Sequence, residues 1–243
     1  MITPTAFDVR LASARTIAPS VRHLVFERTD GLAFDFAPGQ WVNLLMPVVT
    51  GEIKRSYSIA SPPDGSPRFE LAVTRVEGGP GSAFLHGLGE GESLRAVGPQ
   101  GLFWREAGDA SPSLFVATGT GVAPFRSMIR AALARDSSAP LWLLFGARFE
   151  EDILYRDEFE RLAAAHPNVR YHVTLSRGAE AWTGRRGYVQ LHVPEILKAL
   201  GDATDSPPHV FICGLDRMVS TVKELCRKEL GVDRKRVHVE RYD

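Results

Sequence analysis

Arg55, Ser56, Tyr57 and Ser58 fall in one short run that precedes the turn Pro62-Pro63-Asp64-Gly65. In an extended segment alternate side chains share a face, so Arg55 and Tyr57 point one way while Ser56 and Ser58 point the other. A cation, a flat π-face and hydroxyl donors at that spacing can hold a phosphate and a planar ring. A second pattern, Gly119-Thr120-Gly121-Val122-Ala123-Pro124, opens a helix candidate further along the chain. Glycines there permit a tight turn and close approach of a pyrophosphate, and the helix N-terminus supplies N–H donors and a favourable dipole. Thr120 adds a hydroxyl, and Pro124 suits an early helical position. The loop is neither a Walker A sequence nor the full Gly-x-Gly-x-x-Gly fingerprint. Taken alone, it reads equally well as a plain glycine turn.

Two kinds of element must position these groups. Residues 1–108 read as β-rich, with strand candidates at 21–26, 40–46, 54–60, 69–76 and 93–97. Turns at Ala37-Pro38-Gly39 and Gly98-Pro99-Gln100-Gly101 separate them, and one short helix is expected over 82–88. Short strands at such spacing predict an antiparallel, Greek-key β-barrel. Residues 109–243 change rhythm. Strand candidates at 114–117, 141–145, 169–175, 209–213 and 237–240 alternate with helix candidates at 122–134, 153–165, 189–200 and 216–230. That alternation predicts βαβ units and a parallel sheet, so the expected architecture is two-domain.

Composition narrows the function classes. Lys plus Arg equals Asp plus Glu at 29 each, so no basic excess points to nucleic acid. No apolar stretch is long enough for membrane insertion by a helix, and nothing at the N-terminus resembles a signal peptide. The two cysteines, Cys213 and Cys226, cannot ligate a four-cysteine iron–sulfur cluster, and the histidines lack metal-site spacing. A cytoplasmic monomer with no metal centre is expected.

The ordered motifs resemble the ferredoxin–NADP⁺ reductase family. Arg55-Ser56-Tyr57-Ser58 followed by Gly119-Thr120-Gly121-Val122-Ala123-Pro124-Phe125-Arg126 carries the likeness. Pro38-Gly39-Gln40-Trp41, Gly81-Ser82-Ala83-Phe84-Leu85, Gly98-Pro99-Gln100-Gly101 and Phe211-Ile212-Cys213-Gly214 extend it in the same order. The resemblance implies FAD in the barrel and NADPH on the parallel sheet. Hydride would pass from NADPH to FAD, and electrons then singly to ferredoxin or flavodoxin.

Residue roles follow from the same resemblance. Arg55 is similar to the arginine that pairs with the FAD pyrophosphate, Tyr57 to the aromatic stacked on the isoalloxazine, and Ser58 to the serine at flavin N5. Ser56, Ala72, Val73, Thr74, Gly81 and Ser82 complete the flavin side. Thr120, Gly121, Val122 and Pro124 would take the NADPH pyrophosphate. Arg148, Ser176, Arg177 and Arg185, with Arg186 as a further cation, would read the 2′-phosphate, since no acid stands at 176 or 177 to bind a free ribose diol. Cys213, Gly214 and Met218 resemble the nicotinamide station, with Cys213 shaping the pocket rather than acting as a nucleophile. Val239-Glu240-Arg241-Tyr242 resembles the plant-type ending, whose tyrosine covers the flavin, although Asp243 follows Tyr242 here. Catalytic roles therefore fall to Ser58, Cys213, Glu240 and Tyr242. Two other readings stay open. One is the reductase component of an oxygenase, or a flavin or quinone reductase. The other is a non-catalytic flavin-binding subunit of a larger complex.

Overall fold

A computed structural model describes residues 6–49 and 51–242. Asp243, expected to modify the C-terminal ending, lies outside the described residues. The chain divides into two compact units: Met1–Ala107 with Ala123–Ala131, and Gly108–Val122 with Ala132–Asp243.

The first unit is a six-stranded antiparallel sheet of β1 (Ala6–Ala18), β2 (Val21–Arg28), β3 (Trp41–Val48), β4 (Gly51–Ser58), β5 (Arg68–Thr74) and β6 (Ser93–Gln100), in the order β4-β3-β6-β1-β2-β5. An antiparallel bridge between Ile59 and Leu71 joins the two ends, so the sheet closes as a barrel. Helix α1 (Pro80–Gly87) covers part of it. The core is the inner face of the strands, with Leu11, Leu24, Phe26, Leu44, Phe69 and Leu71 fully buried. β1 escapes the sequence reading because its run Ala6–Ala18 interleaves polar and charged residues with small apolar ones and buries only Val9, Leu11 and Ala18. Its pairing with both β2 and β6 supplies the order that local pattern does not.

The second unit is a parallel sheet of β7 (Ser113–Thr118), β8 (Leu141–Ala147), β9 (Val169–Leu175), β10 (Arg185–Arg186), β11 (His209–Leu215) and β12 (Val237–Tyr242). Its order is β10-β9-β8-β7-β11-β12. The central strands β7 and β8 are buried almost throughout, as expected for strands covered on both faces. The chain winds outward from β7 to β10 and then returns to the other side of β7 as β11. Between β7 and β11 the winding reverses, and in such sheets ligands bind at the carboxyl ends of the strands beside this point.

Four helices connect the strands: α2 (Ala123–Leu133), α3 (Arg156–Ala165), α4 (Val193–Asp202) and α5 (Asp216–Glu224). Residues 123–131 of α2 belong with the barrel unit. α3 starts later than the periodicity suggests because Tyr155 adopts a left-handed φ of 56° at its N-cap. α5 gives way to a π-helical turn, Leu225–Glu229, where a single helix is expected.

Candidate functional site

Within the barrel unit, Arg55 lies on β4 opposite Leu44 of β3. Its stem runs beside the first turn of α1: a methyl placed on Gly81 would come 3.2 Å from Arg55 Cγ, 3.1 Å from Met46 Cε and 3.3 Å from Ile53 Cδ1. Glycine at 81 thus lets an arginine stem and a helix start approach each other. The Arg55 guanidinium is exposed and donates from Nη1 to the Lys54 carbonyl at 2.9 Å. Among the described residues no carboxylate pairs with it. An exposed cation whose stem lies beside a helix start with no acid in its first turn is a donor set that can attract an anion such as a pyrophosphate.

Tyr57 is half-buried against the barrel core, and burial first of all pushes its phenol up to about 12, so it stays neutral. Ser58 is buried at the end of the same strand. Ser56 is committed: its Oγ donates to Asn43 Oδ1 at 2.9 Å, and Asn43 Nδ2 donates in turn to Gln100 Oε1 at 3.1 Å. Ala72, Val73 and Thr74 close β5, and His86 of α1 approaches the Val73 carbonyl through Nε2 at 2.9 Å. Ser82 Oγ accepts from the Val76 N–H at 3.0 Å and lies 3.1 Å from the Gly79 carbonyl. It therefore fastens the turn that enters α1. Arg55, Tyr57 and Ser58 lie on β4, Thr74 ends β5 and Gly81 stands in the first turn of α1, and these three elements contact one another.

In the parallel-sheet unit, the loop Gly119–Val122 is a 3₁₀ turn at the carboxyl end of β7. A methyl on Gly121 would sit 2.8 Å from Gly214 Cα and closer still to the Cys213 carbonyl. Gly214 has φ +144° and lies against Thr118 Oγ1 and Met218 Cε. The Thr118 hydroxyl is buried with no hydrogen-bond partner among the described residues. Backbones stripped of side chains and an unpaired hydroxyl at the switch point suit a dinucleotide pyrophosphate. Thr120 and Val122 belong to the same turn, and Pro124 follows at the second position of α2.

Cys213 pairs in register with Glu240, and Leu215 with Tyr242. The Cys213 thiol is fully buried; burial chiefly, then the Glu240 charge, pushes it well above the ordinary thiol range, against a lowering hydrogen bond from Tyr242. A thiol so raised is no nucleophile. Tyr242 is held in β12 rather than hanging loose at the chain end.

The cations expected at the 2′-phosphate divide into two classes. The Arg177 N–H donates to the Arg148 carbonyl at 2.9 Å, which sets these two residues side by side past β8 and β9, next to Ser176. Their exposed guanidiniums meet no ion-pair partner among the described residues. Arg186 instead donates to the carbonyls of Gly178, Ala179, Glu180 and Trp182, and Arg185 is paired with Glu195.

Sequence reasoning passed over three features. One is the Asn43–Gln100 support behind Ser56. Another is the buried hydroxyl of Thr118, at the start of the glycine loop. The third is a buried cluster in the barrel unit, where Arg126 bonds to Glu70 and to the Ala60 carbonyl at 2.9 Å while His23 lies 3.5 Å from Glu70. Arg126 stood inside a quoted motif, yet its half-buried acid partner is remote in sequence and left no local signal.

Two family models match: an oxidoreductase FAD-binding domain over residues 8–104 and an oxidoreductase NAD-binding domain over residues 115–224. The chain is 33% identical to the glycine betaine monooxygenase reductase subunit of Pseudomonas aeruginosa over 91% of its own length, but spans only 60% of that protein. Among solved structures, ferredoxin–NADP⁺ reductase from Plasmodium falciparum with 2′P-AMP shares the fold at a TM-score of 0.80 and 21% identity, covering 99% of each chain. An Amycolatopsis cytochrome P450 reductase aligns at 0.82 and 28% identity, over 99% of this chain and 71% of that one. Ferredoxin–NADP reductase B of Sorangium cellulosum is 64% identical over the full length of both chains. Identity at that level from end to end, with both halves matched by their own models, means that the chain belongs to the ferredoxin–NADP reductase family.

Proposed function

We propose that this chain is an FAD-dependent NADPH oxidoreductase that serves a separate one-electron carrier, ferredoxin or flavodoxin. Residues 1–108 hold FAD, and residues 109–243 take NADPH. The observation that carries the reading is a pair of phosphate-binding features of unlike construction in one chain. One is Arg55 laid along Gly81; the other is the Gly121 loop pressed onto Gly214. The chemistry a flavin supplies when bound is acceptance of two electrons from a nicotinamide and their release one at a time.

The chain's own residues bind and orient. Arg55 and the first turn of α1 grip the FAD pyrophosphate, and Tyr57 offers its neutral ring to the isoalloxazine. Ser58 supplies the hydroxyl for flavin N5. The Thr118–Val122 turn receives the NADPH pyrophosphate, while Arg148, Ser176 and Arg177 receive the 2′-phosphate. Cys213, its thiol kept protonated, walls the nicotinamide pocket beside Glu240 and Tyr242. The same reading has the protein acting as a cytoplasmic monomer.

Anaerobic titration of the purified protein tests this. NADPH is expected to bleach the flavin absorbance at near-stoichiometric addition, NADH only in large excess, and ferredoxin or flavodoxin to restore the colour. A colourless protein that cannot be loaded with FAD sinks the proposal. The likeness to the glycine betaine monooxygenase reductase subunit favours one second reading, an oxygenase reductase. Recovery of colour with an oxygenase component but with neither carrier would select it.

A further inference from the structure

Arg185 stands on β10 in register with Thr174 of β9, just short of Ser176 and Arg177. Its guanidinium meets Glu195, in the first turn of α4, through two parallel bonds, Nη1 to Oε2 and Nη2 to Oε1, each 3.0 Å. That is the bidentate fork in which an arginine spends its most directional donors on one carboxylate. Both partners rise from regular elements, so neither must be ordered from a floppy loop to make the pair. The Arg185 bond in turn holds the Glu195 carboxyl below its ordinary range, so the pair stays charged. Among the described residues no such anion pairs with Arg148 or Arg177.

We infer that Glu195 is a specificity-determining residue: by holding Arg185 it withdraws that cation from the 2′-phosphate of a bound dinucleotide. Recognition of the phosphate then rests on Arg148, Ser176 and Arg177. A phosphate approaching Arg185 would have to displace a carboxylate already in ideal geometry and leave that carboxylate nearby as a like charge. The inference rests on the NADPH reading above and goes beyond it, because it separates arginines that sequence alone treats alike. Glu195 is largely exposed, and exposed ion pairs are modest, so its removal is expected to change phosphate affinity by about threefold to fivefold.

The test is calorimetric titration of the flavin-loaded protein with 2′-phospho-AMP and with 5′-AMP, in low and high salt. Arg177→Ala is expected to lose about tenfold or more in 2′-phospho-AMP affinity. Arg185→Ala should lose less than twofold. Glu195→Gln and Glu195→Ala should gain about threefold to fivefold for 2′-phospho-AMP and nothing for 5′-AMP, with the gain shrinking in high salt. That gain should vanish in the Arg185→Ala/Glu195→Ala double variant. Arg185→Ala losing as much as Arg177→Ala would overturn the inference, since Arg185 would then exchange Glu195 for the phosphate. So would Glu195 variants that leave the ratio of the two affinities unchanged. If the parent protein binds both nucleotides alike and Arg177→Ala changes neither, the NADPH reading fails and takes this inference with it.

Discussion

In the barrel unit the candidate binding groups are side chains carried on strands, whereas in the parallel-sheet unit many are places where a side chain is missing. Arg55, Tyr57 and Ser58 project from β4 by the simple alternation of an extended chain. Gly121 and Gly214 work by letting two backbone segments touch at the ends of β7 and β11. The two constructions fail differently. A side chain can be trimmed at the cost of its own bonds and little else. A backbone contact has no spare room, so the smallest addition disturbs the strands themselves.

Gly121→Ala is therefore expected to have the largest effect. Its methyl would meet backbone, not a flexible side chain, and overpacking of this kind costs about 1–3 kcal/mol. Thermal unfolding should shift down and NADPH binding should be lost, with FAD retained. An alanine variant that binds NADPH normally would break the comparison at its strongest point.

Acid sharpens it next, by asking where the barrel unit keeps its own tight spot. His23 is buried beside Glu70 and Arg126; burial above all lowers its pKa to about 4. The folded protein thus prefers neutral His23, while the unfolded chain protonates near the ordinary value of about 6.5. Above that pH the group costs nothing. As pH falls from about 6.5 to 4, stability should decline by up to about 3 kcal/mol from this residue. His23→Gln should flatten that slope in denaturant unfolding measured across the same range. An unchanged slope would mean that the cluster does not carry the acid response.

Arg55→Ala is expected to disturb the fold least, because its effect falls on FAD affinity alone. An exposed guanidinium on a phosphate contributes about 1.5–3 kcal/mol at most, which equals roughly tenfold to a hundredfold in FAD affinity. Unfolding of the FAD-free protein should barely move. A large loss of stability in that state would show that Arg55 is a structural strut, and that the two regions are less different than their geometry indicates.

Much of this was legible in the residues. The Arg55–Ser58 run, the Gly119–Pro124 loop and the change of rhythm near residue 108 carry local periodicity or a backbone requirement, and both can be read without a structure. β1 could not be read that way, because its few buried residues are too sparse to stand out from its polar ones. Ser56 and Ser82 show a second limit. A hydroxyl's type says that it can bind, but only packing shows that Asn43 and the Val76 turn have already taken these two. Arg185 and Arg186 show a third. Adjacent residues of one type point to opposite sides of a strand, and each meets a partner several residues away.

Arg186 also bears on the thermodynamics of capture. One guanidinium ties down four carbonyls of the 178–182 segment, which directly follows Arg177. A segment already held in one shape surrenders little entropy when a dinucleotide arrives, so more of the contact energy survives as affinity. Efforts to retune cofactor preference by transplanting this stretch into another scaffold would need to bring Arg186 along, or accept a slack, weakly binding graft.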